Sequence, residues 1–281
     1  MIQDLKCNVI AIIVTFNPDT EVLIALLKAI DSQVTDVIVV DNGSKKNIIE
    51  RIQQVTPKNG VLIEKGYNSG IATAINTGIA EASNLGASHV VLFDQDSIPA
   101  ANMVNCLLTT INERDDVAAV GPNYADIKGQ NISPFVRLEG FTLKRIMCKD
   151  NEIVSVDHLI SSGCLISIAT LNVIGDMEDS LFIDYVDTEW CLRAIHKGYS
   201  LLGVGSAHMQ HDLGDDFAYV FGRTLPVHSP LRQYYLIRNG IWILRQSWVS
   251  NRWRIMDTRR LFLIYIVYSF FVGKKFQNWK M

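Results

Sequence analysis

The chain predicts an α/β fold, a mostly parallel sheet flanked by helices, and three observations carry that expectation. Over the first 121 residues, short apolar runs alternate with stretches whose apolar residues recur at about every 3.6 positions. The apolar runs are continuous, as in strands buried on both faces. Near residues 222–230 the composition shifts to basic and aromatic. Strand–helix alternation sets parallel strands side by side with helices covering them.

Taken in order, residues 8–14 are a β-branched run that reads as the first strand, and 21–30 have helical spacing. Residues 36–40 form a second strand, closed by Asp41-Asn42-Gly43-Ser44, a turn composition. A brief strand follows at 61–63, an Ala-rich helix at 71–85, a strand at 90–93, a helix at 101–112 and a strand at 117–120. Beyond Gly121 the pattern loosens, and 122–157 read as loops and short strands. Ser161-Ser162-Gly163-Cys164 leads into a strand at 165–168. A helix is expected at 188–196, ended by Lys197-Gly198, since glycine takes the left-handed conformation that follows a helix. A late strand covers 201–204, and the chain is helical from Pro230. Two segments result, 1–222 and 223–281.

At 281 residues and 48% hydrophobic content, the chain holds a sizeable core. Its five cysteines are scattered, with no CxxC pair or Cys/His cluster, which argues against zinc and against a disulfide framework and fits a reducing cytoplasm. Cys164 and Cys191 read as small core residues. No signal peptide is expected, because Asp4 and Lys6 interrupt the first residues. The net charge of −3 hides an asymmetry: 1–222 carry −13, and 223–281 carry +10 with Asp257 as the one acid. Four of the five tryptophans, Trp242, Trp248, Trp253 and Trp279, also lie in the second segment. Basic, aromatic and apolar residues together suit an anionic membrane surface, with no nucleic-acid partner. The uncharged run 261–272 is shorter than the roughly 20 residues a spanning helix needs.

Asp94-Gln95-Asp96 stands where the 90–93 strand ends. Ligands collect at the carboxyl ends of strands in open α/β sheets. Two neighbouring acids repel unless a cation or a ligand hydroxyl satisfies them, and Mg²⁺ or Mn²⁺ prefers such oxygens. Three further polar clusters fall at the same edge: Thr15-Phe16-Asn17, the turn at Asp41, and Asn68-Ser69-Gly70 before the Ala-rich helix. Together they outline a nucleotide site. Asp41 could accept from a pyrimidine N–H, and the residues around Asn17 could hold a ribose. Asn68 and Gly70 open a helix whose free N–H groups favour a diphosphate.

VTFNP (14–18), VVDNGS (39–44), NSGIATAINTGI (68–79), FDQDS (93–97), SSGCLIS (161–167) and YVDTEWCLRAIHKGY (185–199) resemble, in order, the motifs of family 2 glycosyltransferases with the GT-A fold. With QHDLGD (210–215) and YYLIRN (234–239), the texture is most similar to bacterial rhamnosyltransferases of surface polysaccharide synthesis. The resemblance implies that 1–222 form a GT-A nucleotide-sugar-binding and catalytic domain and that 223–281 are a helical, membrane-proximal segment. It implies inverting transfer from a nucleotide-diphosphate sugar, dTDP-L-rhamnose, to a lipid-linked glycan at the inner face of the cell membrane. Asp94 then contacts the ribose, Asp96 binds the metal, Asp41 recognises the base, and the strand with Gly163 and Cys164 shapes the sugar and acceptor pocket. His211 matches a histidine that in some members helps hold metal or diphosphate; neighbouring His208 competes for that role, and a structural histidine is the alternative that the residues themselves favour for His211.

The catalytic base lies among Asp187, Glu189 and Asp184, in that order, because Val186-Asp187 stands where many members have two consecutive acids. Asp187 would otherwise serve as N-cap of a helix beginning at Thr188. Arg193 is expected to pair with a nearby acid. Three rivals accompany this reading: a transferase for another donor such as a UDP-hexose, a sugar-nucleotide nucleotidyltransferase, and a membrane-peripheral binding protein with a degenerate site. The second wants a Gly-rich, Lys- or Arg-bearing loop after the first strand, which Thr15-Phe16-Asn17-Pro18 lacks. An oligomer is compatible with all of them.

Overall fold

The computed structural model describes residues 7–126, 132–211, 216–220, 223–227 and 229–270. The first half follows the expected order: β1 (Val9–Thr15), α1 (Thr20–Ile30), β2 (Asp36–Asp41), α2 (Lys46–Val55), β3 (Val61–Glu64), α3 (Ile71–Asn84), β4 (His89–Asp94), β5 (Ser97–Pro99), α4 (Met103–Ile111) and β6 (Val117–Asp126). Helix α2 is an addition to that reading; Ile48, Ile52 and Val55 form its apolar stripe against the core it shares with α1, with Ile52 fully buried. The stretch expected to be mostly loops holds β7 (Phe135–Glu139), β8 (Thr142–Ile146) and β9 (Ile153–Val156). Then come β10 (Leu165–Ser167), α5 (Ile168–Ile174), a 3₁₀ turn at Asp179–Leu181, α6 (Val186–His196) and β11 (Ser200–His211). The hairpin β12 (Asp216–Val220) and β13 (Arg223–Val227) precedes α7 (Pro230–Leu244) and α8 (Asn251–Phe270).

Nine strands form one sheet in the order β3-β2-β1-β4-β10-β6-β11-β5, with β9 paired to β11 beside that path. β1 to β4 are parallel, β10 runs antiparallel between β4 and β6, and β11 returns parallel to β6. The chain winds outward from β1 to β3 and then crosses to β4 on the other side of β1. That reversal is a switch point, where a crevice opens at the carboxyl ends of the strands.

Alternate residues of β1 feed opposite faces. Ile10, Ile12 and Val14 join one core with Ala72 and Ile75 of α3, while Val9, Ala11 and Ile13 join another with α1 and α4. A strand covered on both sides must be apolar throughout, which explains its unbroken run in the sequence. Each fully buried isoleucine contributes about 1.5–3 kcal/mol relative to exposure. β11 changes register against β6 between Val204 and His208. The irregularity re-aims the strand so that it pairs with β5 and sets His211 opposite Ser97.

The segment 223–281 opens with β13; from Pro230 to Phe270 it is helical, and these helices are packed into the first segment. Ile243, Val249, Trp253, Met256 and Leu261 share the buried cluster of β1 and α3. Asp257 is fully buried and accepts from the Tyr185 hydroxyl at 2.7 Å and from Arg260 Nε at 2.8 Å. Composition changes near 222–230, but the core does not divide there. On its outer side α8 exposes Phe262, Leu263 and Tyr265. No helix among the described residues is long and apolar enough to cross a membrane. Lys274, Lys275 and Trp279 lie outside the described residues.

Candidate functional site

The carboxyl ends of β1 and β4 open into a cleft of about 380 Å³, lined by Phe16, Asn68, Asp94 and Asp96 and, from later in the chain, by Phe182, His211 and Arg232. Each expected polar cluster reaches it, but the turn after β2 does so through Asn42 and not Asp41. Asp41 is fully buried. Its Oδ1 accepts from Thr15 Oγ1 at 3.2 Å, and its Oδ2 from the N–H groups of Gly43 at 3.1 Å and Ser44 at 2.9 Å. A carboxylate so engaged holds the turn, which corrects the expectation that it faces a base. Thr15 is its buried partner at the floor of the cleft. Asn17 donates its N–H to Ser44 Oγ at 2.7 Å and accepts from Lys45 N–H at 3.0 Å, tying the end of β1 to the same turn. Gln95, between the two acids, accepts from the Phe16 N–H at 2.8 Å.

The start of α3 also differs from expectation. Asn68 Oδ1 accepts from Gly70 N–H at 3.0 Å and from Asn42 Nδ2 at 3.1 Å. Ile71 N–H donates to Phe182 O at 2.6 Å. Two of the N–H groups expected to be free for a diphosphate are therefore taken. Gly70 has φ +86°, and a Cβ there would stand 2.6 Å from the Phe182 ring, so both backbone and space require glycine.

Asp94, Asp96 and His211 each offer a ligand atom, all within 4.8 Å of one another. Asp96 Oδ1 is buried, accepts no hydrogen bond among the described residues, and lies 3.3 Å from His211 Nδ1. The same ring nitrogen is 2.9 Å from Ser97 Oγ, which is 2.6 Å from Ser162 Oγ. His211 Nε2 is 3.9 Å from Asp94 Oδ2. An orphaned carboxylate oxygen beside a second acid and an imidazole suits a divalent cation such as Mn²⁺ or Mg²⁺. Burial, above all, pushes the Asp94 carboxyl up to about 6; Asp96 and Asp187 add to this, and His211 and Arg232 oppose it. His208, the competing histidine, faces Asp150 instead, at 3.4 Å.

Gly163 and Cys164 do not line the cleft. Gly163 donates to Leu92 O at 2.7 Å, and Cys164 is buried in the core, where burial pushes its thiol up to about 12. Ser162 is also fully buried and outside the cleft; its Oγ accepts from Asp94 N–H at 3.2 Å and so fixes the end of β4 from behind. The loop turns at Gly163, with φ +78°.

Helix α6 starts at Val186, not Thr188, and Tyr185 is its N-cap. Asp187 thus lies in the first turn and is not the cap. Its Oδ1 accepts from Thr188 N–H at 2.7 Å, and its Oδ2 stands 3.4 Å from His158 Nε2. Burial would raise its carboxyl, but His158 and the Thr188 bonds outweigh that and hold it below the usual carboxylate range. Glu189 is 2% exposed and bound by Arg193 Nε and Nη2, each at 2.8 Å. Arg193 also donates to Ile174 O at 2.8 Å, so the pair fastens α6 to α5 and removes Glu189 from the candidates. Asp184 accepts from Arg232 Nε at 3.2 Å. Asp187 does not line the cleft, but its charge contributes to raising the Asp94 carboxyl.

His158 has no counterpart in the sequence reading. Asp184 is among the candidate bases, but nothing in the sequence gives the backbone before α6, where Phe182, Asp184 and Tyr185 have φ of +66°, +60° and +65°. Non-glycine residues pay for that conformation with about 1–2 kcal/mol each. Asn239 Nδ2 lies 2.8, 2.7 and 2.9 Å from the carbonyl oxygens of Leu181, Ile183 and Asp184. Arg238 donates to Ser180 O and Leu181 O, and Tyr235 stacks on Phe182 at 4.8 Å. The YYLIRN motif on α7 supplies all three residues. Its chemistry is visible in the sequence, but its partners lie over fifty residues away.

The chain matches the model of Glycosyl transferase family 2 over residues 10–168. It is 32% identical over 247 residues to the dTDP-rhamnosyl transferase RfbF of Shigella flexneri, covering 87% of this chain and 82% of that protein. Among solved structures it is similar to GalNAc-T7 with UDP, GalNAc and Mn²⁺, with TM-score 0.60 and 14% identity over 90% of this chain. That match spans 54% of the GalNAc-T7 chain, about half its length. It is also similar to S. aureus TarS 1–349 in complex with UDP, with TM-score 0.55 and 16% identity over 96% of this chain and 74% of that one. At such identities the two structures bear on the fold alone.

Proposed function

The chain belongs to glycosyl transferase family 2, with the GT-A fold, and from that premise we propose that it moves L-rhamnose from dTDP-L-rhamnose to a hydroxyl of a lipid-linked glycan, inverting the anomeric centre. A glycosyltransferase sets aside the nucleotidyltransferase and the binding-protein readings. The observation that carries the proposal is the convergence of Asp94, Asp96 and His211 at the switch-point cleft; Asp187, whose charge acts on Asp94, is the acid that supports the base assignment. The similarity to RfbF supports the rhamnosyl donor.

The nucleotide enters between the ends of β1 and β4, against Phe16, Asn42 and Asn68. Arg232 faces the diphosphate from α7. Asp94, Asp96 and His211 would hold Mg²⁺ or Mn²⁺, which supplies positive charge to the leaving diphosphate. The acceptor hydroxyl is a poor nucleophile, and Asp187 takes its proton as the new C–O bond forms. The bond from the anomeric carbon to the phosphate oxygen breaks with oxocarbenium character, and its electron pair leaves with the diphosphate. One displacement inverts the centre.

The +10 charge of 223–281 and the exposed Phe262, Leu263 and Tyr265 of α8 support a peripheral, cytoplasmic position at the anionic inner face of the cell membrane. That position brings a lipid-linked acceptor within reach.

The test is a donor panel with Mn²⁺, reading release of nucleoside diphosphate. Consumption of dTDP-L-rhamnose ahead of UDP-glucose and UDP-galactose is expected, with loss of turnover in EDTA. Preference for a UDP-hexose would replace the donor assignment, and turnover unaffected by EDTA would remove the metal.

A further inference from the structure

His158 belongs to no motif that the family reading uses, yet it is placed with care. It lies between β9 and β10, and the backbone on either side of it is fixed. Before it, Asp157 N–H donates to Val136 O at 3.0 Å, and Asp157 Oδ2 accepts from Leu138 N–H at 2.6 Å, which ties the segment to β7. His158 itself bridges to Val136. After it, Leu159 is 4% exposed, and its N–H points to Cys191 Sγ at 3.5 Å, one turn along α6 from Asp187. The imidazole is therefore registered against the helix that carries the proposed base.

The two side chains face each other at the edge of solvent. Nε2 of His158 is 3.4 Å from Oδ2 of Asp187, and the side chains are 23% and 27% exposed. The other carboxylate oxygen is held by Thr188 N–H at 2.7 Å and by Thr188 Oγ1 at 3.4 Å. Both bonds fall on that one oxygen, and the terminal torsion of an aspartate is broad, so Oδ2 is left to swing. A second donor on the second oxygen fixes the plane and thereby the lone pair left for a hydroxyl. His158 also borders a cavity of about 100 Å³ that is walled mostly by apolar residues, Pro122, Phe135 and Leu159 among them.

We propose that His158 is a positioning residue for the base: it holds Asp187 in the orientation that accepts the acceptor's proton, and does not itself contact the reacting atoms. This rests on Asp187 being the base. It predicts an effect on turnover without one on donor binding, because the donor diphosphate lies at Asp94, Asp96 and Arg232. Misplacing a reacting group by about an ångström costs up to about a hundredfold in rate.

The experiment measures conversion of dTDP-L-rhamnose to dTDP with Mn²⁺ for the full chain and for His158→Ala, His158→Gln, Asp187→Asn and the His158→Ala/Asp187→Asn pair, with melting temperatures alongside. His158→Ala should lower kcat about tenfold to a hundredfold with KM for the donor unchanged. His158→Gln, whose amide can donate to the same oxygen, should recover most of the loss. In the Asp187→Asn background, removing His158 should cost nothing more, since coupled residues are not additive. If His158→Ala lowers the melting temperature, the glutamine rescue and the non-additivity carry the test, because neither follows from a fold defect. Wild-type kcat in His158→Ala, a glutamine variant as slow as alanine, or additive losses would overturn the proposal. Wild-type turnover in Asp187→Asn would instead remove the base assignment on which it stands.

Discussion

The two ends of the cleft are held together differently. At the ends of β1, β2 and β4, short polar side chains answer one another across adjacent elements: Thr15 reaches Asp41, and Asn42 reaches Asn68, each 26 residues along the chain. The segment before Asp187 is instead held from outside. Asn239 reaches back 58 residues to Leu181, and Asp257 reaches back 72 to Tyr185. Among the described residues, Asn17, with φ +47°, is the one non-glycine residue at the donor end with positive φ, while three residues before Asp187 have it and are kept in place by α7 and α8. A site for binding can be assembled from local signals. Holding a base at a fixed point beside it takes the last part of the chain.

That contrast can be broken most sharply at Asp187. Asp187→Asn should cut turnover by about 10²- to 10⁴-fold, the usual worth of a positioned base, while dTDP binding and melting temperature stay near wild type. Because the native carboxyl is held below the usual range and acts ionised, the acid limb of the kcat profile should fall below the ordinary carboxylate pKa; a limb at or above it would contradict the assignment. Asn239→Ala comes next. It strips a buried donor from three carbonyls and should cost about 2–4 kcal/mol in denaturant unfolding. The folded fraction should lose turnover but keep dTDP binding; loss of binding with normal turnover would erase the division between the two ends.

A smaller effect is expected at Asp41. Asp41→Ala leaves two turn amides unpaired and should cost about 1–3 kcal/mol of stability. If it recognised a base instead, the variant would lose its preference between dTDP and UDP at an unchanged melting temperature, which calorimetry with both nucleotides distinguishes. The smallest effect lies at the surface of α8. Reversing exposed Arg252 and Arg259 to glutamate should weaken sedimentation with anionic vesicles by about 1 kcal/mol per basic residue removed, more so at low salt, and leave donor turnover unchanged. Arg260 is a poor choice for that test, since it is bonded to Asp257 and Tyr185.

The same contrast explains what was legible in the sequence. Strands buried on both faces announce themselves as apolar runs, and the clusters at their carboxyl ends are turn residues with local meaning, so β1 to β4 and the residues of the donor end could be read in order. Asp94, Asp96 and His211 were expected together and lie together. Asp41, Gly163 and Cys164 were expected at the site, but Asn42 lines the cleft in place of Asp41, and Gly163 and Cys164 lie outside it. Glu189 is an acid at the expected motif whose partner, Arg193, decides its role. His158 and the run 182–185 carry no local signal, and Asn239, though part of YYLIRN, takes its role from carbonyls far along the chain. Helix α2 went unread although Ile48, Ile52 and Val55 recur at helical spacing.

The central claim is that the ends of β4 and β11 form a metal-dependent nucleotide-diphosphate site. The most direct measurement is calorimetric titration of dTDP into the full chain and into Asp96→Ala, each with Mn²⁺ and with EDTA. The wild-type protein should bind dTDP far more tightly with Mn²⁺, and Asp96→Ala should lose that gain while keeping its melting temperature, since removing one of two crowded acids relieves repulsion. Equal wild-type affinity with and without Mn²⁺, or a full metal-dependent gain in Asp96→Ala, would contradict it.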